Sequence, residues 1–89
     1  MNNLSPANTF KRDLKKQSFE LFLTEEWSEV IGALRNGVAM KEKYCDHDLK
    51  GKWLGFRECH IKPDLLLIYE PDDKVIQLVR IGSHSELYG

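Results

Sequence analysis

Cysteine, proline and long apolar runs are all scarce in this 89-residue chain, and each scarcity excludes something. Two cysteines, Cys45 and Cys59, cannot build a disulfide framework, and with no secretory signal at Met1-Asn2-Asn3 they read as reduced thiols. Cys45-x-His47 and Cys59-His60 also lack the gap of about two to four residues found in structural zinc pairs, so neither a metal nor a cofactor is expected. The longest apolar stretch, Leu65 to Tyr69, falls far short of the roughly 18 residues a spanning helix needs. A cytoplasmic location without membrane contact is the expectation. Excess charge of either sign is missing too: 13 basic and 14 acidic residues leave −1, without the overall basic footprint of a nucleic-acid binder. A second core is excluded by length, and residues 1–89 are expected to form one domain.

What remains is the composition of a soluble globule, 42% hydrophobic and 30% charged. Its charge is local. Lys11, Arg12, Lys15 and Lys16 form one basic cluster, and Lys41, Lys43, Lys50, Lys52, Arg57 and Lys62 form another, whereas Glu25, Glu26 and Glu29 gather negative charge.

The first half reads as helical and the second as stranded, which predicts an α+β domain: two N-terminal helices packed on a curved antiparallel β-sheet. Ser5-Pro6 offers an N-cap and a proline at the first helical position, and Phe10, Leu14 and Phe19 recur at helical spacing to about residue 18. Thr24-Glu25-Glu26 opens a second helix whose stripe is Trp27, Val30, Ile31 and Leu34, and Gly37 ends it. Met40 to Lys52 is polar and irregular, a long surface loop. Three strands follow, Trp53 to Ile61, Leu65 to Glu70 and Val75 to Ile81, separated by Lys62-Pro63-Asp64 and Pro71-Asp72-Asp73 as turns. The middle run is apolar on both faces, as a covered central strand is. Residues around Asn2 to Leu4 could add a short strand, although nothing in their pattern requires it.

An antiparallel meander brings the end of its first strand, the start of its second and the end of its third to one edge. His60, Asp64, Arg80 and His84 map there, with strands about 4.8 Å apart. His47 lies in the long loop, and topology alone does not require it to return to that edge. Imidazoles, a carboxylate and a guanidinium suit RNA cleavage through attack by the 2′-hydroxyl on the adjacent phosphate. That reaction needs a base, an acid and positive charge at the phosphate oxygens. Histidine can serve as either at neutral pH, and arginine can grip phosphate bidentately. Each residue also has an ordinary structural reading: a solvated loop residue for His47, a strand histidine for His60, a turn former for Asp64, an edge residue for Arg80, a tail residue for His84.

Asp46-His47-Asp48-Leu49-Lys50-Gly51-Lys52-Trp53, then Arg57-Glu58-Cys59-His60-Ile61-Lys62-Pro63-Asp64, then Arg80-Ile81-Gly82-Ser83-His84-Ser85-Glu86-Leu87-Tyr88 give ordered, dense motifs over residues 46 to 88. This half of the chain resembles the YafQ branch of the RelE/ParE toxin superfamily. The resemblance implies a microbial RNase-like (RelE-like) fold and the toxin of a type II toxin–antitoxin pair, a metal-independent endoribonuclease that cleaves mRNA, usually on the ribosome. It places His47, His60, Asp64 and His84 at catalytic positions, Arg80 at the scissile phosphate, and Tyr88 near the bound base. Lys50, Lys52, Arg57 and Lys62 would contact RNA by charge. One assignment puts His60, oriented by Asp64, on the proton-abstraction side and His84 or His47 at the leaving group, with the reverse open. Partners implied are a cognate antitoxin, mRNA and the ribosome, with DNA reached only through the antitoxin complex. The slightly acidic balance keeps cleavage of free RNA in play. The competing readings are a non-catalytic ParE-like toxin and a protein-interaction module that binds through the polar sheet edge.

Overall fold

Thr24 and Gly37 bracket the longest helix as the sequence requires. In the computed structural model, which describes residues Met1–Gly89, Thr24 Oγ1 accepts the Trp27 N–H at 3.2 Å and helix α2 runs Glu25–Asn36. Gly37 ends it in the left-handed conformation, φ 65° and ψ 32°. The last carbonyls are taken by an unexpected partner: Asn2 donates its backbone N–H to Arg35 O at 2.7 Å and its side-chain amide to Leu34 O at 2.9 Å. A Gly37→Ala variant would hold a Cβ 3.4 Å from the Asn2 amide as well as a strained backbone. It is expected to lose about 1–2 kcal/mol in urea unfolding; an unchanged midpoint would refute that account.

The first helix differs from expectation. Ser5 and Pro6 belong to a strand, β1 (Asn3–Pro6), and α1 covers only Asn8–Leu14, with Ala7 as N-cap. Phe19 therefore lies outside α1, at the head of a 3-10 turn (Phe19–Leu23), and is 70% exposed. The reason is the sheet edge. β1 pairs with the last strand, β5 (Val75–Gly82), and takes up Ser5 and Pro6 before a helix can start.

The sheet has five strands in the order β1-β5-β4-β3-β2, with β2 at His47–Asp48, β3 at Arg57–Lys62 and β4 at Leu65–Asp72. The meander β3-β4-β5 is antiparallel as predicted, but β1 runs parallel to β5, so the sheet is mixed. Two boundaries move. Trp53 sits in a 3-10 turn (Gly51–Trp53) rather than in β3, and the β4–β5 turn is Asp73-Lys74, with Lys74 at φ 58°. Pro71 remains in β4 because β3 begins at Arg57, opposite Tyr69; beyond that point the β3-facing side of β4 has no partner and no N–H is needed there.

Cys59, Ile61, Leu67, Tyr69, Leu78 and Ile81 face the helices and close a core with Phe10, Leu21, Val30, Leu34 and Tyr44. Fully burying each such aliphatic side chain stabilises the fold by roughly 1.5–3 kcal/mol. The connection from α2 to β2 is fastened to this core. Tyr44 donates its hydroxyl to Glu29, whose other oxygen takes Lys41 Nζ at 2.7 Å; burial and then that carboxylate push the phenol up to about 12. Where β1 ends, α1 takes over the free edge of β5. Thr9 Oγ1 donates to Val79 O at 2.6 Å, and Asp13 accepts the Ile81 N–H at 3.1 Å. No helix is long and apolar enough to cross a membrane.

Candidate active site

Strand alternation sends Glu58 and His60 to the face opposite the α2 core. On that face Leu66 and Ile68 form a second apolar patch with Leu87, flanked by Leu49, Trp53, Phe56 and Val79. Cross-strand register then fixes two rows: Glu58, Ile68 and Arg80 in one, and His60, Leu66 and Gly82 in the next. An irregularity opposite Ile68 and Tyr69, where Val79 has no partner on β4, turns the Arg80 stretch of β5 out of simple alternation.

His47 does return to the site. β2 pairs with β3 so that His47 stands opposite Glu58, its Nε2 3.3 Å from Glu58 Oε2. His60 Nε2 lies 3.8 Å from the same oxygen, and the two imidazole centroids are 6.4 Å apart. His47 Nδ1 donates to the Cys45 carbonyl at 2.6 Å, which leaves Nε2 as the nitrogen facing Glu58.

The third histidine arrives on a helix of its own, α3 (His84–Tyr88), started by a capping box between Ser83 and Glu86. Leu87 anchors this short helix on Leu66 and Ile68, which turns His84 and Tyr88, four residues apart, to one side. Their ring centroids are 5.0 Å apart, and Tyr88 donates its hydroxyl to Glu58 Oε1 at 2.6 Å. Burial and then that bond push the Tyr88 phenol well above its ordinary range. Trp53 meets Tyr88 edge-on at 6.5 Å.

Glu58, only 6% exposed, is thus the hub joining His47, His60 and Tyr88. Sequence reasoning passed over it. The signal was there in its spacing, two residues before His60 on a strand, which guarantees a shared face. Asp64 does not act as expected: its carboxylate accepts the His84 backbone N–H at 3.0 Å and makes no bond to His60. It sits in the turn before β4, so it steadies the first turn of α3 instead.

Arg80 is held by a residue the sequence reading also missed. Asp13 takes its Nε at 2.6 Å and Nη2 at 3.2 Å and leaves Nη1 without a protein partner. Burial pushes the Asp13 carboxyl up, but the Arg80 bonds, the Ile81 N–H and the nearby Lys16 outweigh it and hold it below the ordinary carboxylate range. Arg57, expected to touch RNA, pairs instead with Asp46 and Asp48 and bonds Tyr69, on the side of the sheet away from Glu58. Strand alternation decides this: Arg57 neighbours Glu58 in sequence and so faces away from it. Lys50, Lys52 and Lys62 are exposed and make no ion pair, so their charge is available to a polyanion. Among the His, Cys, Asp and Glu side chains, no three gather in an arrangement that could hold a metal ion.

Two imidazoles beside one carboxylate, a third on the adjoining helix and a guanidinium in line across the sheet can exchange protons at neutral pH and bind an anion. Comparison with known proteins points the same way. The family described as "Bacterial toxin of type II toxin-antitoxin system, YafQ" matches residues 2–89. The mRNA interferase toxin YafQ of Escherichia coli K12 is 39% identical over 56 residues, which covers 63% of this chain and 61% of that protein's length. A copper-bound L66S mutant toxin from Helicobacter pylori superposes with a TM-score of 0.85 at 41% identity, covering 99% of this chain and 100% of the other. The toxin in the E. coli DinJ-YafQ complex gives 0.80 at 26% identity, covering 100% of both chains. Family match, fold and motifs agree, and the chain belongs to the YafQ family of bacterial toxins of type II toxin–antitoxin systems.

Proposed function

We propose that this chain is an endoribonuclease that cleaves mRNA by attack of the 2′-hydroxyl on the neighbouring phosphate. The observation that carries the reading is the gathering of His47, His60 and Tyr88 around the Glu58 carboxylate, with His84 on the same short helix as Tyr88. His60 takes the 2′-proton, and Glu58 beside it favours the imidazolium that forms. His84, on a turn steadied by Asp64, protonates the departing 5′-oxygen. His47, as an imidazolium with Nδ1–H on the Cys45 carbonyl, donates from Nε2 to a phosphate oxygen, and Arg80 meets the charge that builds there. Exposed Lys50, Lys52 and Lys62 supply backbone contacts, and Tyr88 offers its ring face to a base. The names of relatives support the substrate and the partner: an mRNA interferase for the first, the DinJ-YafQ complex for the second. A cognate antitoxin is therefore the partner proposed, and the ribosome the platform on which mRNA is met.

One H. pylori relative has been solved with copper bound. Here His47 and His60 turn Nε2 to one oxygen of Glu58, at 3.3 and 3.8 Å, and these groups are assigned to proton transfer and phosphate contact. No step of the reaction passes through a metal in this reading. Purified protein stripped of metal with a chelator, freed of the chelator and then incubated with labelled RNA, with and without ribosomes, is expected to leave cyclic-phosphate 3′ ends. Ends bearing a free 3′-hydroxyl, or cleavage lost on stripping the protein, would sink it.

A further inference from the structure

His47 depends on the shortest strand of the sheet. β2 is only two residues long, and its register rests on two pairings, His47 with Glu58 and Asp48 with Arg57. So brief a ladder does little to fix a side chain that is itself 48% exposed. The residues on either side of His47 are nevertheless gripped by one cation. From the face of β3 opposite Glu58, Arg57 sends Nη1 to Asp48 Oδ1 at 2.5 Å and Nη2 to Asp46 Oδ2 at 3.0 Å. Its Nε donates to Tyr69 Oη at 3.3 Å, and that hydroxyl donates in turn to Asp46 Oδ1 at 2.5 Å. Tyr69 is 4% exposed and belongs to the core, so the clamp is founded on rigid packing. Guanidinium geometry matters: its planar fork can hold two carboxylates at once, which a point-charge ammonium cannot do with the same direction.

We propose that Arg57 is a positioning residue for cleavage, acting through His47 by holding Asp46 and Asp48 from the far side of the sheet. It touches no substrate. The proposal rests on the reading that His47 takes part in cleavage, and it adds a reason for the Asp-His-Asp sequence: each aspartate is a handle. The Asp46 bond holds the Arg57 guanidinium further above its ordinary range, and burial and then the Asp46 bond raise the Tyr69 phenol, so both donors keep their protons at neutral pH.

The experiment is a mutant cycle on RNA cleavage with Arg57→Met, His47→Ala and the double variant, each checked for folding by thermal melts. Arg57→Met is expected to lower the cleavage rate about 10- to 100-fold, the scale on which a misplacement of about 1 Å acts. In the His47→Ala background it should change the rate by less than about twofold, because the residue it positions is gone. Arg57→Lys should recover part of the rate. Equal losses from Arg57→Met with and without His47 would overturn the clamp, as would a wild-type rate for Arg57→Met beside a defective His47→Ala. Full activity in His47→Ala would instead overturn the role of His47, and the clamp with it. Should Arg57→Met melt below the assay temperature, Asp48→Ala, at a side chain 79% exposed, removes one handle and supports the same comparison.

Discussion

His84→Ala is expected to slow RNA cleavage by about 100- to 10,000-fold while leaving the protein folded. The first figure is what one general acid or base contributes. The second half follows from position. His84 is exposed at the start of α3, where the helix is set by Ser83, Glu86 and Leu87, and its backbone N–H to Asp64 survives the change. Surface substitutions of this kind move stability by no more than about 0.5 kcal/mol, or about 2–4 °C in Tm for a domain of this size. Cleavage and growth inhibition that persist in folded His84→Ala and His60→Ala proteins would refute the catalytic reading and favour a binding toxin.

Asp13→Ala should be strongly destabilising, by about 3 kcal/mol, equivalent to a fall of roughly 12–24 °C in Tm. The carboxylate satisfies Arg80 twice and the Ile81 N–H once, and it is 5% exposed. Its loss leaves the backbone of β5 without an acceptor at the edge that α1 covers. Arg80 is partly exposed and can find water, which keeps the figure at the low end of the range for a broken buried pair. The acid limb offers a second check. Because the folded carboxyl sits below its ordinary value of 3.8, its stabilisation is complete above that pH and is lost as pH falls through the folded value. The wild type should therefore lose stability on acidification below about pH 4 more steeply than Asp13→Ala. Parallel acid limbs would refute this assignment.

The residues that made the fold legible are those whose signal is local. Thr24 and Gly37 bounded α2 correctly because a cap reads its own few neighbours, and Pro63-Asp64 placed the β3–β4 turn for the same reason. Ser5-Pro6 misled because a helix-start motif was overruled by pairing with a strand some 70 residues away, which no local pattern reveals. The site divides along the same line. His60 and Arg80 fell on strands whose order was evident, and His84 followed from the last of them. His47 had only family motifs behind it, yet β2 brings it to Glu58. Glu58 and Asp13 went unseen for different reasons. Glu58 was hidden in plain alternation, whereas Asp13 acts across the whole chain and needs the tertiary structure to be noticed.

The parallel pairing of β1 with β5 also sets an order of events in folding. Each turn of the meander closes over a handful of residues, but Asn3 meets Val75 only after the intervening chain has been gathered in, and that closure carries the larger entropy loss. The meander is thus the natural nucleus, with β1 and α1 docking late. His60, Glu58 and the strand bearing Arg80 would stand in place before Asp13 arrives, so Arg80 is the last part of the site to find its anchor. Refolding followed through β3 and β4 should run ahead of refolding followed through the Arg80–Asp13 contact.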